Sequence, residues 1–328
     1  MLPKPAAALF ALALSAGAHA AVPRDTPQSA AAPAERAVSF VTLGTNSGPI
    51  PNPARAEPAN LLRVGDQNIL IDVGDGAAWQ LAKAGVPLNA VRAIVISHLH
   101  FDHTGGLFAL ISQRYQMLEP STLTIYGPPG TKALVETLVA AIAASSRGGN
   151  NMRAFMPGDP GSNLEVVELA DGAQFAIGAV AVTAVRNTHF VATRGGDADD
   201  ALSFAYRFVA GGKAIVYTGD TGPSEAVTRL AQGADLLVSE IMDPDIALAK
   251  VFAARPEAPA PLRQMIGEHF RREHMSPTEV GLMAKRAGVK RLVLTHDALP
   301  DEAIDGARAQ IAAHYDGPVV FANDLDSF

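Results

Sequence analysis

The run Ala93-Ile94-Val95-Ile96, followed at once by Ser97-His98-Leu99-His100-Phe101-Asp102-His103, decides the reading of this chain. A short apolar run bounded by polar residues predicts a buried parallel strand. The histidines then fall at its C-terminal end, where open α/β sheets place their ligand sites. Neutral imidazole and carboxylate are ordinary ligands of zinc and similar first-row metals. His98 and His100 are two apart, so in extended backbone they point to the same side. Asp102 and His103 follow as the chain turns, and adjacent side chains diverge there. This spacing fits two neighbouring metals better than one. Packing alone rarely calls for so many ligand-type side chains together.

Further ligand-type residues stand at the ends of other β-rich runs. His189 follows the extended run Val180–Val185, Asp220 ends Ala214–Gly219, and His296 ends Leu292–Thr295. Each taken alone reads more simply as a turn residue. Together with the first cluster they make three imidazoles for one metal, two imidazoles and a carboxylate for a second, and one carboxylate between. The rest of the chain alternates strand and helix signals. Val38–Leu43 predicts a first strand, and Asn60–Val64 and Asn68–Asp72 predict paired strands across Gly65-Asp66-Gln67. Gly74 and Gly76 read as a plain turn, not a phosphate loop. Residues 145–163 are Gly/Asn-rich and predict a loop. Residues 244–270 are helical with a Pro/Ala interruption at 255–261. Ser276 and Glu279 form a capping-box pattern ahead of a helix. Pro318–Phe321 is the last predicted strand. Two mixed sheets packed face to face, with helices outside, fit this mixture.

Composition sets the bounds. The chain has 328 residues and is 48% hydrophobic, enough for one large α/β domain. Lys4, the apolar stretch Ala6–Ala18 and the A-x-A pattern Ala18-His19-Ala20 predict a secretory signal over residues 1–20. A Pro/Ala-rich flexible linker is expected over 21–37 and a catalytic domain over 38–328. The expected location is periplasmic or secreted, with no membrane contact beyond the export signal. There are no cysteines, so neither disulfides nor thiolate ligands are available. The formal net charge is -7, and no basic run stands out. Binding to nucleic acid leans on Lys/Arg–phosphate contacts, so no nucleic-acid partner is expected.

Several motifs occur in one order: Ile96-Ser97-His98-Leu99-His100-Phe101-Asp102-His103-Thr104-Gly105-Gly106, then Thr124-Ile125-Tyr126-Gly127-Pro128-Pro129-Gly130, then Tyr217-Thr218-Gly219-Asp220-Thr221, then His274-Met275-Ser276-Pro277 and Leu294-Thr295-His296. In this order the chain resembles the metallo-β-lactamase-fold hydrolases, and among them the ribonuclease Z-like group with its zinc phosphodiesterases and arylsulfatases. The resemblance spans roughly Val38 to His296. It implies an α/β, four-layer αββα sandwich with the site at one edge. It also implies two Zn2+ ions per chain, with Mn2+ or Fe2+ as alternatives. By motif position His98, His100 and His189 hold one ion, Asp102, His103 and His296 the other, and Asp220 bridges. Asp72 matches a carboxylate that orients the His loop, as ligating imidazoles require. His274 matches a histidine that faces the substrate. His19, His269 and His314 match no motif and read as non-catalytic.

Two such ions about 3.5–4 Å apart lower the pKa of a shared water toward neutrality, giving a nucleophile for phosphorus, sulfur or carbonyl carbon. Asp102 is then the candidate base, and His274 the group that protonates the leaving oxygen or stabilises the transition-state charge. Only two predicted strands lie between His189 and Asp220, leaving no room for the substrate-gripping arm of ribonuclease Z. That argues against transfer-RNA processing. The absence of cysteine excludes cysteine-ligand β-lactamases, and Asp220 sets the chain apart from the cysteine-free periplasmic type. Lactonases of this fold carry Tyr where this chain has Pro223. What remains is hydrolysis of a small phosphodiester or aryl sulfate ester by a metal-bound hydroxide; Ser203–Phe208 resembles a segment of the secreted arylsulfatases. A lactonase or other carboxylic-ester hydrolase, and a non-catalytic metal- or ligand-binding member, stay open as alternatives. A homodimer is allowed. Phe252, Met265 and Phe270 are candidates for an apolar substrate wall.

Overall fold

Side chains alternate from face to face along each strand, and in this chain that alternation sorts the apolar residues into three separate cores. In β2 (Ala59–Val64) and β3 (Gln67–Val73), Leu62, Ile69 and Ile71 join one core, while Leu61 and Leu70 join another. In β9 (Phe204–Ala210) and β10 (Lys213–Tyr217), Tyr206, Phe208, Ile215 and Tyr217 face the first core, and Ala205 and Val216 face a third. Strands that are buried on both faces must be covered on both, which requires layers.

The computed structural model describes residues 37–48, 50–146, 158–190, 201–253 and 255–328. The expected export signal, all but the last residue of the expected linker, and the middle of the 145–163 loop lie outside the described residues. One seven-stranded sheet runs β14 (Asp326–Ser327), β1 (Val38–Gly44), β2, β3, β4 (Val91–Val95), β5 (Leu123–Gly127), β6 (Leu164–Glu168). The other runs β13 (Val319–Phe321), β12 (Leu292–Asp297), β11 (Leu236–Ile241), β10, β9, β8 (Val180–Arg186), β7 (Gln174–Ile177). Each sheet is mixed. β3 to β6 pair in parallel while β1 to β3 pair antiparallel, and β10 to β13 pair in parallel while β7 to β10 pair antiparallel.

The inter-sheet core is centred on Phe40, Ile71, Val95, Phe204, Tyr206 and Tyr217. The outer face of the first sheet is covered by α1 (Ala77–Lys83), α3 (Leu107–Gln116) and α4 (Thr131–Ser145), through residues such as Leu81, Leu110 and Val135. The outer face of the second is covered by α5 (Glu225–Leu230), α8 (Pro277–Ala287) and α9 (Ile304–Ala312), through Val227, Val280 and Ile311. The result is the expected αββα sandwich. The Ser276–Glu279 capping box is present at the start of α8. The expected interruption in 244–270 separates α6 (Pro244–Ala253) from α7 (Ala260–Glu273). The short strand β14 was not anticipated, because two residues pairing with β1 at the far end of the chain leave no local pattern. No described helix is long and apolar enough to cross a membrane.

Candidate metal centre

The parallel strand β4 delivers its chain to the sheet edge, and the cluster begins three residues beyond it, at His98. His98 and His100 lie in the extended segment after β4. Asp102 and His103 lie in the single turn of α2 (Phe101–Thr104), so the change from extended to helical backbone is what fans the four ligand-type side chains apart. His189 follows β8, Asp220 follows β10, and His274 ends α7.

Two β-bulges aim the remaining groups. The pairing of β2 with β3 passes from Ala59↔Val73 to Asn60↔Ile71, leaving Asp72 as the extra residue, at φ 56°. The pairing of β11 with β12 passes from Glu240↔Thr295 to Ile241↔Asp297, leaving His296 as the extra residue, at φ 46°. Strict alternation would put Asp72 on the outer face with Leu70. The bulge turns it between the sheets instead, where Tyr217 donates to it across the core at 2.8 Å. Left-handed backbone is uncommon away from glycine, and Asp is among the residues that tolerate it best.

The structure brings all seven expected ligands together. Nε2 of His98 lies 3.0 Å from Nδ1 of His100, which lies 3.1 Å from Nε2 of His189. On the other side, Oδ2 of Asp102 is 3.4 Å from Nε2 of His296 and 3.6 Å from Nε2 of His103. Asp220 stands between the groups. Its Oδ1 is 3.3 Å from His103 Nε2, and its Oδ2 is 3.4 Å from His296 Nε2 and 3.9 Å from both His98 Nε2 and His189 Nε2. Outer ring nitrogens are held from behind. His103 Nδ1 meets Asp72 Oδ2 at 2.8 Å, His189 Nδ1 meets the Glu273 carbonyl at 3.1 Å, and His98 Nδ1 meets Ser97 Oγ at 3.1 Å. Asp72 is fixed in turn by the Ser97 N–H and hydroxyl, each donating at 2.7 Å.

Burial and mutual charge set the protonation of these groups. Burial, reinforced by His103 and His189 nearby, keeps His98 well below the usual imidazole range, and burial also brings His189 down to about 3. Both therefore present neutral rings. Burial also disfavours charge on His103 and His296. For His103, Asp220 and Asp72 outweigh it and push the ring well up. For His296, Asp220 and the hydrogen bond with Asp102 outweigh it and raise the ring to about 9. Burial would raise Asp102, but His103 and the His296 hydrogen bond prevail and hold it at about 2. Asp220 is likewise ionised, since His296 and His103 overcome its burial.

The donor set fits divalent metal. Imidazoles and ionised carboxylates converge, and ligand atoms within each triad lie within 4.8 Å of one another: His98, His100 and His189; Asp102, His103 and His296; His98, His103 and Asp220. His103 Nε2 and Asp220 Oδ1 are buried and have no hydrogen-bond partner among the described residues. Buried polar atoms of this kind suit a divalent cation.

Sequence reasoning did not single out Glu240. It sits fully buried in β11, accepts from the Thr221 N–H at 2.5 Å and meets His274 Nδ1 at 2.6 Å. A carboxylate inside the apolar run Leu236–Ile241 was the available signal. Burial pushes Glu240 up and His274 down to about 4, so the pair carries no net charge and shares one proton along its contact. His269 matches no motif, yet its ring lies 5.4 Å from that of His274 and its Nδ1 meets Glu273 at 2.6 Å. His314, two residues past α9, lies against Gly281 of α8, and His19 lies outside the described residues. Of the three apolar-wall candidates, Phe270 packs 6.0 Å from the His274 ring. Phe252 lies under Arg263, and Met265 is exposed.

A family described as the β-lactamase superfamily domain matches residues 67–296. The ribonuclease Z of Mycobacterium bovis (strain BCG / Pasteur 1173P2) is 30% identical over 293 residues, covering 88% of this chain and 96% of that protein. Among solved structures, the metallo-β-lactamase fold protein YhfI from Bacillus subtilis shares the fold at TM-score 0.64 and 21% identity, covering 89% of this chain and 98% of that one. Human tRNase Z, short form, does so at TM-score 0.61 and 22% identity, covering 88% and 98%. The ribonuclease Z relative corrects the expectation that nucleic acid is no partner, since it is a nuclease by name. The expectation rested on net charge and on a missing arm. Neither decides the matter, because a nuclease can grip the scissile phosphate at its metal centre without a basic surface. The chain belongs to the β-lactamase superfamily, as a ribonuclease Z-like, metal-dependent hydrolase of ester bonds on the metallo-β-lactamase fold.

Proposed function

We propose that this chain is a binuclear zinc phosphodiesterase. His98, His100 and His189 hold one ion, Asp102, His103 and His296 hold the other, and Asp220 bridges them. The observation that carries this reading is the position of Asp220, whose two oxygens reach histidines of both groups at 3.3–3.9 Å. Imidazole and carboxylate suit zinc, and manganese or iron could take the same donors. When bound, the ions supply an activated water and positive charge beside the phosphoryl oxygens.

The chain's own groups move the protons. Asp102, ionised at neutral pH, accepts at Oδ2 the proton that the attacking water gives up. His274 serves the leaving oxygen. Its Nδ1 shares a proton with Glu240, so whichever partner holds that proton, Nε2 carries one of its own, and a nitrogen of the ring lies within 4.8 Å of ligand atoms of His189 and Asp220. Asp72 keeps the His103 tautomer that leaves Nε2 free.

Phosphodiesters rank first because the related proteins are ribonucleases, and phosphodiesters of nucleic acid fall within the class. Aryl sulfates present a similar tetrahedral, singly charged centre and compete for the same donors. The apolar segment Ala6–Ala18 and Ala18-His19-Ala20 support action in the periplasm or outside the cell. The test is zinc-loaded protein assayed side by side on bis(p-nitrophenyl) phosphate, a short RNA, p-nitrophenyl sulfate and a lactone. Preferred turnover of a phosphodiester is expected. Turnover of the sulfate or lactone alone would overturn the reading. Protein recovered from cells should begin at Ala21, and recovery with Met1 intact would remove the export reading.

A further inference from the structure

A ligating imidazole is normally oriented by a partner on its other ring nitrogen. Three of the proposed ligands follow this rule: His98 through Ser97, His103 through Asp72 and His189 through the Glu273 carbonyl. His296 has no such bond at Nδ1, but its buried ring is stacked on those of His103 and His274. His100 differs from all of these. It turns Nδ1 toward the centre, 3.0 Å from His98 Nε2 and 3.1 Å from His189 Nε2, and no described residue hydrogen-bonds to its Nε2. Its backbone is fixed, since its carbonyl accepts from the His103 N–H at 3.0 Å and from the Thr104 hydroxyl at 3.1 Å. Its side chain is exposed.

Among the described residues, one aromatic side chain outside the ligand set packs on this ring. The Phe190 centroid lies 5.1 Å from that of His100 with the planes at 84°, an edge-to-face contact. The same ring lies 4.9 Å from His189 and 5.8 Å from His98. Phe190 therefore packs on all three imidazoles of one triad. The turn that carries it is pinned. Asn187 Oδ1 accepts from the His189 N–H at 3.1 Å, an Asx turn, and the Asn187 amide donates to the Thr218 carbonyl at 3.0 Å. The Thr188 N–H donates to the Thr221 hydroxyl at 3.3 Å. These bonds tie the turn to the segment on either side of Asp220, so Phe190 is set in place with the centre.

We propose that Phe190 is a positioning residue: its ring holds the His100 imidazole toward its ion, in place of the hydrogen bond that His98, His103 and His189 receive. This rests on the binuclear reading and concerns the ion held by His98, His100 and His189. Without the ring, His100 turns freely on its fixed backbone, and binding metal must freeze it. Freezing a side chain in this way costs about 2–10-fold in affinity, and a lost edge-to-face contact costs a similar factor. Phe190 is only half-buried and sits in a turn, so its loss falls on the metal and little on the fold.

Zinc competition against a chelator, with urea unfolding of the metal-free protein alongside, tests this. Phe190→Ala should weaken one ion at least about tenfold and leave the other within about twofold. His100→Ala should weaken the same ion, and adding Phe190→Ala to it should cost no more than about twofold further, because Phe190 acts through that ring. Phe190→Tyr keeps the ring and should match the parent. Phe190→Leu keeps apolar bulk without an aromatic edge and should weaken the ion. Metal-free stability should be alike in the three Phe190 variants. A Phe190→Ala protein that binds both ions as the parent does, or weakens both equally, overturns the proposal. So does a double variant whose losses add, or a Phe190→Tyr protein as weak as Phe190→Ala. A parent chain that holds a single ion, weakened by Phe190→Ala and kept by Phe190→Tyr, leaves Phe190 in its role and removes the binuclear reading.

Discussion

Replacing Asp72 by asparagine tests how the carboxylate behind His103 controls the centre. Asp72 is fully buried, and its two oxygens do different work. Oδ1 accepts from the Ser97 N–H, whereas Oδ2 accepts from the Ser97 hydroxyl, the Tyr217 hydroxyl and His103 Nδ1, all at 2.7–2.8 Å. In Asp72→Asn the amide oxygen must stay on the Ser97 N–H, because a backbone donor cannot turn round. The new NH2 then faces three former donors. The two hydroxyls can rotate to accept, but His103 can accept only by moving its proton from Nδ1 to Nε2. Nε2 is the nitrogen aimed at Asp220 and Asp102, so the variant blocks a ligand without touching it. Loss of such a partner weakens metal affinity by about 10–100-fold. The metal-free protein should lose about 1–3 kcal/mol for the weakened contacts, a tolerable part of a usual domain stability. Asparagine also accepts the φ of 56° at this position. Asp72→Ala instead leaves the Ser97 N–H, Tyr217 and His103 short of partners, roughly 3–9 kcal/mol in all, and should not fold. Zinc competition against a chelator, with urea unfolding in excess chelator, separates the two effects. An Asp72→Asn protein that binds zinc as tightly as the parent would refute the tautomer argument.

Gly48→Ala should place a methyl 2.5 Å from the Cβ and Oδ2 of Asp102 and displace that carboxylate. Hydrolysis of bis(p-nitrophenyl) phosphate should fall at least about tenfold while urea stability changes by about 1 kcal/mol or less, and unaltered turnover would count against Asp102 as the base. Metal loading should release protons at pH 7, because His296, raised to about 9, and His103, also raised, must lose a proton to ligate. Zinc affinity should therefore climb with pH from neutral to at least about pH 9, where His296 loses its proton. The metal-free protein should show the opposite trend. A raised histidine pKa stabilises fully below about 6.5, its unfolded value, and that stability is lost as pH rises through about 9. Calorimetry in buffers of different ionisation enthalpy reads the proton count, and no proton release would contradict the assignment.

The parts of the site that follow from strand ends were legible in the sequence. His98 to His103 sit where the buried run before them had to finish, and His189, Asp220 and His296 follow the same rule on other strands. Their grouping into one centre came from motif order, since spacing alone fits several pairings. The geometry that makes Asp72 useful was hidden. Period-two alternation puts it on the outer face, and only the bulge turns it inward. His296 was found by its motif, although its bulge is just as invisible to a periodic reading. Glu240 was missed because a carboxylate near the end of an apolar run looks like the strand's polar boundary, and its partner His274 is 34 residues further along the chain. The nucleic-acid expectation failed for a related reason: net charge averages over a surface, whereas a hydrolase can handle phosphate at one buried spot.

A two-metal centre bridged by Asp220 is read directly by counting metal. Elemental analysis of purified, zinc-equilibrated protein should give close to two ions per chain. Asp220→Ala should lose most of that metal together with phosphodiester hydrolysis. A parent chain that holds one ion or none while hydrolysing at full rate would contradict the account, as would an Asp220→Ala protein that keeps both its metal and its activity.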